Sequence, residues 1–333
     1  MFDNKYLYAG TRTRVLETRL LDRSKIERMI DAKNAEEVIK VLSETEYATS
    51  ISEMNDVYDY ESILLKEILK TYAYISEVSP EPELTDIFLL KYDVHNLKVL
   101  LKSMILGEDN DSLLMNIGVI PVSKLKEAVK DRDFRDFYPK LAEGITEIMN
   151  NLETTPDPQY IDLVLDKSLY RAIYDIAVKS KSAFLKDYLS NQIDLINIRS
   201  FVRIKAIGYG RDYLSKVIIE NGYIGADFYD KNFEEPVDTI ADKLLSTKYH
   251  RVVEEGMESY AATKTLTKYE KLADDFIFDI AKKGKYIAFG IEPLVGYLMA
   301  KENEVKIIRI IMVGKNNQIP NELIRERLRD VYV

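Results

Sequence analysis

The 333-residue chain contains no cysteine and no tryptophan. Disulfides, thiolate nucleophiles and Cys-based zinc or iron–sulfur sites are therefore excluded. Histidine is nearly absent too: His95 and His250 are the only two, far apart in the chain. Any His-based triad or metal site would have to be built around one of them. Glycine (13) and proline (9) are scarce for this length, so helix breakers are few. Nor is there a long apolar run. "IIMV" at 310–313 falls far short of the roughly 20 residues that cross a bilayer, and the opening "MFDNKYLYAG" lacks the apolar core of a signal peptide. Positive charge is outnumbered, with 47 Lys and Arg against 56 Asp and Glu and a net charge of −9. That argues against nucleic acid as a partner, because phosphate neutralisation needs a basic surface.

What is present is a helical pattern. Leu, Ile, Lys, Glu and Ala abound, with apolar residues at three- and four-residue spacing, which predicts an all-α protein. The chain also repeats itself. "DVHNLKVLLKSMILG" (93–107) aligns without a gap on "DLINIRSFVRIKAIG" (194–208). The acid, Asn96 and Asn197, Lys98 and Arg199, Lys102 and Arg203, and the final glycine all match. A third copy, "EVKIIRIIMVGKNN" from Glu304, keeps the acid and Arg309, has Ile307 in place of Asn, and reaches Gly314 early. Each copy reads as one helix, with the acid at its N-terminal end, where the dipole favours it, and a glycine C-cap.

Weaker echoes accompany these copies. "LLDRSKIERMIDAK", "GVIPVSKLKEAVKD" and "GYIGADFYDKNFEE" recur in position, and "LSETEY" (42–47) echoes "LSTKY" (245–249). Three units follow, 1–112, 113–216 and 217–333, with seams at 106–112 and 208–214 and Pro- and acid-rich loops at 79–83 and 154–158.

Two motifs suggest chemistry. "KLADDFIFDIAKKG" places Asp275 and Asp279 four apart on one helix face, superficially like the Mg²⁺-binding helix of class I terpene synthases. The second metal helix that a diphosphate clamp needs is missing from the residues after Asp279. The stretch also aligns with "DKSLYRAIYDIAVKS" (166–180), in which Asp279 matches Asp175 but the doublet faces Tyr170 and Arg171. "IMVGKNN" has Gly-Lys after an apolar run, yet Arg309 and Asn316 stand where a phosphate-binding loop needs Gly and a hydroxyl.

The C-terminal third, "EPLVGYLMAKENEVKIIRIIMVGKNNQIPNELIRERLRDVYV" (292–333), resembles the end of the C subunit of prokaryotic V-type (A-type) rotary ATPases, the relative of the d subunit of eukaryotic V-ATPases. "DLINIRSFVRIKAIG" is similar to that family's middle repeat and "YLYAGTRTRVLETRLL" to its first helix, so the likeness spans the chain. The resemblance implies three similar helical domains in a pseudo-threefold funnel. It implies a non-catalytic rotor component without cofactor or metal, monomeric alone. It would sit on the cytoplasmic face of the membrane rotor ring and receive the central stalk, made of the D and F subunits. Under that reading Asn96, Lys98, Asn197, Arg199, Arg203 and Arg309 are the expected interface residues. A Mg²⁺-dependent prenyl or terpene enzyme using Asp275 and Asp279, and a free-standing helical adaptor, are the competing expectations.

Overall fold

The computed structural model describes residues 4–52, 56, 59–152 and 158–332, so the expected loop at 154–158 lies almost wholly outside the described residues. Among these residues there are helices and no strands. The first are α1 (Leu7–Glu17), α2 (Arg23–Asp31), α3 (Ala35–Leu42), α4 (Ala48–Ile51), α5 (Tyr60–Val78) and α6 (Pro82–Leu106). Then follow α7 (Val122–Asp131), α8 (Pro139–Leu152), α9 (Pro158–Lys179) and α10 (Ala183–Ile207). The last are α11 (Leu214–Val217), α12 (Ala226–Lys231), α13 (Ile240–Lys243), α14 (His250–Thr263), α15 (Thr267–Lys282), α16 (Glu292–Asn316) and α17 (Asn321–Arg327).

The three aligned repeats are α6, α10 and α16, each 25 residues long. They begin well before the aligned stretch, so the expectation that the acid opens each helix is corrected. Asp93, Asp194 and Glu304 lie in mid-helix and are buried. The helices extend upstream because apolar residues continue there on nearly every face, as in "IFLLKY" and "PLVGYLMA".

Caps follow elementary rules. Ser182 caps α10 by accepting the Leu185 N–H at its hydroxyl oxygen (3.2 Å). Gly208, at φ 84°, closes the same helix, its N–H reaching Ile204 O at 3.1 Å. Gly107, at φ 67°, follows α6 in the same way. Gly314 does not: it lies inside α16, which runs to Asn316. A Cβ there would stand 2.5 Å from Ile324 Cδ1, so the glycine admits α17 against α16 and is no cap. The expected seams hold one 3₁₀ turn each, Asp111–Leu113 and Arg211–Tyr213.

The chain forms two compact units, Met1–Glu81 with Glu270–Val333, and Pro82–Tyr269. Compactness and repetition divide the chain differently. In the first unit α16 packs on α1 and α5, and α17 packs on α2 and α16. In the second α9 packs on α6, α8 and α10. Each core is aliphatic with interior tyrosines: Tyr47 in the first unit, Tyr229, Tyr249 and Tyr269 in the second.

Gly314→Leu is expected to force α17 off α16 and cost about 1–3 kcal/mol by overpacking. Thermal unfolding followed by circular dichroism reads this as a lowered midpoint with helicity retained at low temperature.

Candidate interface on the repeated helices

The buried acid of each long helix holds the backbone of a segment that precedes a shorter helix. Asp93 accepts N–H bonds from Val119 (3.0 Å) and Ile120 (3.2 Å), just before α7. Asp194 accepts from Tyr223 and Ile224, both at 2.9 Å, just before α12. Glu304 accepts from Leu21 N–H, just before α2. Three turns of chain with little shared sequence are therefore fixed by one repeated carboxylate.

Glycines complete two of these clamps. A Cβ on Gly118 would lie 2.1 Å from Asp93 Oδ1, and one on Gly222 would lie 2.1 Å from Asp194 Oδ1. The carboxylates rest against bare Cα atoms. The third copy has Leu20 and Leu21 instead, and a longer glutamate reaching them.

A tyrosine joins the acid in two copies, and these are the two ends of the "LSETEY"/"LSTKY" echo. Tyr249 donates to Asp194 Oδ2 at 2.6 Å, and Tyr47 donates to Glu304 Oε2 at 3.1 Å. Burial and the adjacent carboxylate push both phenol pKa values upward, so each remains a donor. Glu304 is further balanced by Lys301, 3.0 Å away, whose ammonium also lies 4.5 Å from the Tyr47 ring centroid. Glu67 of α5 stands 3.9 Å from Lys301 and accepts from Ser50 (2.8 Å) and Lys70 (2.9 Å). The interior charges of this copy are thus mutually paired, as burial requires.

The expected interface residues separate into two groups. Asn96 and Asn197 are fully buried. Asn96 donates to Met115 O (2.9 Å) and accepts from Met115 N–H (2.8 Å). Asn197 does the same to Ile219, at 2.8 and 2.9 Å. Each amide acts as a missing strand partner for a loop residue. Ile307, at the third position, is buried and apolar. Arg309 makes a two-pronged contact with Glu61, at 2.7 and 2.8 Å.

Lys98, Arg199 and Arg203 come together. They line one groove of about 580 Å³ between α6, α9, α10 and α11. Lys98 pairs with Asp166 (2.7 Å) and Lys102 with Asp162 (2.8 Å). At the far side Tyr209 donates to Gln159 at 3.3 Å. The N-terminal half of α9 thus runs antiparallel to both α6 and α10, whose C-terminal ends share one end of the groove. Lys91, Lys98, Lys167, Arg199 and Arg203 line this groove together with Asp162 and Asp166, and Lys167 lies 3.4 Å from Glu220.

The Asp-rich helix is occupied by the chain's own tail. Asp274 bonds Arg329 (3.0 Å), Asp275 accepts Asp330 N–H (2.9 Å), and Asp279 lies 3.5 Å from Lys282. Among the described residues no group of three or more His, Asp or Glu side chains is arranged to hold a metal.

The clamps, their glycines and the early start of the long helices escaped sequence reasoning. The aligned acid was visible, and so were Gly118 and Gly222 opening the weak repeats. Only their contact shows that acid and glycine are one device.

Fold and site together define a repeated helical scaffold whose recurring polar positions mostly hold its own backbone. The chain belongs to the ATP synthase (C/AC39) subunit family, whose profile matches residues 9–327. It is similar to the C subunit of the A-type ATP synthase of Methanocaldococcus jannaschii, 29% identical over 97% of this chain and 86% of that one. It is similar also to the C subunit of the V-type sodium ATPase of Enterococcus hirae, 28% identical over 95% of each chain. The C subunit of the A-type ATP synthase of Methanobrevibacter smithii is 25% identical over 97% of this chain and 88% of that one. The chain is therefore an accessory component of a rotary ATPase and not itself the catalyst. No described helix is long and apolar enough to cross a membrane.

Two outcomes test the clamps. Asn197→Ala strands the buried N–H and C=O of Ile219 and is expected to cost roughly 2 kcal/mol or more, read as a shifted urea midpoint with the slope unchanged. Burial pushes the Asp93 carboxyl up to about 7. The folded chain then binds more protons than the unfolded one between its ordinary value and 7. This contribution is full at low pH and is lost as pH rises through 7. Stability between pH 5 and 7.5 is expected to fall less in Asp93→Asn than in the parent, measured by urea unfolding at each pH.

Proposed function

We propose that this protein is the socket of a V-type rotary ATPase, joining the central stalk, made of the D and F subunits, to the membrane rotor ring. Three similar helical domains, 1–112, 113–216 and 217–333, form a pseudo-threefold funnel on the cytoplasmic face of the membrane. The stalk foot sits in the hollow and the ring lies beneath. The socket hands torque between ATP turnover and ion movement.

The supporting observation is family membership along nearly the whole chain, 9–327. The physical arrangement agrees with the role. A torque coupler must not yield, and long helices tied through buried carboxylates and amides to the segments beside them resist shear better than apolar packing alone. A near-symmetric base with three unequal copies suits a many-fold ring on one side and a single stalk on the other. In this reading Lys98, Arg199 and Arg203 face the stalk. Asn96 and Asn197 stiffen the surface that carries them, and Arg309, on Glu61 in the first unit, is the matching interface position of the third copy.

An N-terminally tagged chain, recovered from gently solubilised membranes and weighed by native mass spectrometry, is expected to carry stalk, catalytic head and ring at one copy per complex. Arg199→Glu with Arg203→Glu is expected to weaken binding to purified stalk by at least about tenfold, the scale of losing close charge contacts at an interface. Unchanged stalk binding with intact helicity would remove these arginines from the interface.

A further inference from the structure

The second clamp closes on a chemically labile dipeptide. Asn221–Gly222 is the one Asn-Gly pair in the chain. A glycine after asparagine leaves the next backbone nitrogen free to approach the side-chain amide, since no Cβ stands in the way. The pair sits in the turn before α12. Asn221 is exposed, and its φ of 76° lies in the left-handed region that asparagine enters more readily than most residues. Neither of the other clamps carries this pair: Ile117 precedes Gly118, and Leu20 precedes Leu21.

The pair is anchored on both sides. Ser190, four residues before Asp194 on α10, is 3% exposed and donates to the Asn221 carbonyl oxygen at 2.9 Å. Asp194 takes the N–H groups of Tyr223 and Ile224, both at 2.9 Å. The Tyr223 side chain is held too. Its hydroxyl donates to Asp187 at 2.6 Å, and the Lys248 ammonium lies 3.9 Å from its ring centroid.

We propose that Asn221 is a self-modification site whose reaction is gated by the second clamp. When the turn opens, the Gly222 backbone nitrogen attacks Asn221 Cγ. A C–N bond forms and the Cγ–Nδ2 bond breaks. The amide nitrogen leaves as ammonia, taking the proton that the Gly222 nitrogen gives up. The product is a five-membered succinimide. Water then opens the ring at Cγ, giving aspartate, or at the main-chain carbonyl carbon, giving isoaspartate.

Geometry makes the clamp the gate. Left-handed backbone, with ψ about +47°, turns the Gly222 nitrogen away from the Asn221 side chain. Ring closure must swing that nitrogen round, and the planar peptide carries the Asn221 carbonyl oxygen with it. Ser190 holds that oxygen and Asp194 holds the next two N–H groups, so the ring closes only after these bonds part. Conversion therefore tracks the population of the locally opened turn. The isoaspartate product runs the main chain through the side-chain carbon, one atom longer, and leaves a carboxylate near Asp194. The N–H groups of Tyr223 and Ile224 then lose their register with Asp194, and the clamp does not re-form. A reversible opening becomes a permanent mark, in one copy of three.

The test incubates the full-length protein in mildly alkaline buffer at physiological temperature. Peptide mass spectrometry locates the converted asparagines, and an isoaspartyl methyltransferase assay scores isoaspartate. Conversion at Asn221 is expected to be at least about tenfold slower in the folded parent than in the chain unfolded by guanidinium, because local opening is rare. Ser190→Ala and Tyr223→Phe each delete one anchor and are expected to speed the folded-state reaction about fivefold, the scale of one net hydrogen bond. Tyr223 is 58% exposed, so its variant leaves the core untouched. Lys130→Ala, on an exposed helix face elsewhere, should leave the rate unchanged. Circular dichroism and the urea midpoint confirm that each variant is folded during incubation. The isoaspartate form, separated by ion exchange, is expected to unfold at lower urea than the parent. Equal rates in folded and unfolded parent, variants no faster than the parent, or no conversion of Asn221 in the unfolded chain overturns the proposal. So does an isoaspartate form as stable as the parent.

Discussion

A carboxylate buried in the middle of a long helix, accepting backbone N–H groups from a neighbouring segment, is the interaction on which the rest depends. A loop cannot be buried unless its N–H groups find acceptors. Helices cannot offer backbone acceptors, because theirs are used within the helix. A side-chain carboxylate can. Asp93 and Asp194 each take two adjacent N–H groups, and one turn later Asn96 and Asn197 take a further N–H and return a donor. Together acid and amide supply, from a helix surface, the hydrogen bonding that a β-strand would give. This is how an all-helical chain can press irregular segments against its long helices.

The clamp also explains the unequal copies. Where the acid is aspartate, its short arm needs the loop backbone within reach, and Gly118 and Gly222 permit that approach. Where it is glutamate, the longer arm reaches Leu21 without a glycine, and a buried lysine joins the tyrosine that the second copy also has. Lys301 and Tyr47 both bind its Oε2, and Glu67 extends the pairing to α5. Ile307 fits the same logic: with no amide at that position, an aliphatic side chain fills the core instead.

Much of this was legible in the sequence. The acid, Asn and basic residues align without a gap between 93–107 and 194–208, and the acid and Asn positions prove to do matching work. The Asp-rich stretch near 275 aligned with a helix that carries no doublet, and its acids hold residues 329–330 rather than a metal. What failed to show was long-range. The start of each long helix was hidden because its apolar residues cover every face, leaving no amphipathic edge. Gly314 resembled a C-cap because glycine serves both turns and close helix packing, and only the position of Ile324 decides between them. A one-dimensional pattern records what repeats along the chain and not what a repeated side chain grips.

The first clamp holds a segment downstream of its helix, and so does the second. The third reaches back: Glu304, near the end of the chain, grips Leu21, near its beginning. Each copy thus secures the opening of the next, and the last secures the opening of the first. The pattern of contacts is cyclic although the polypeptide is linear.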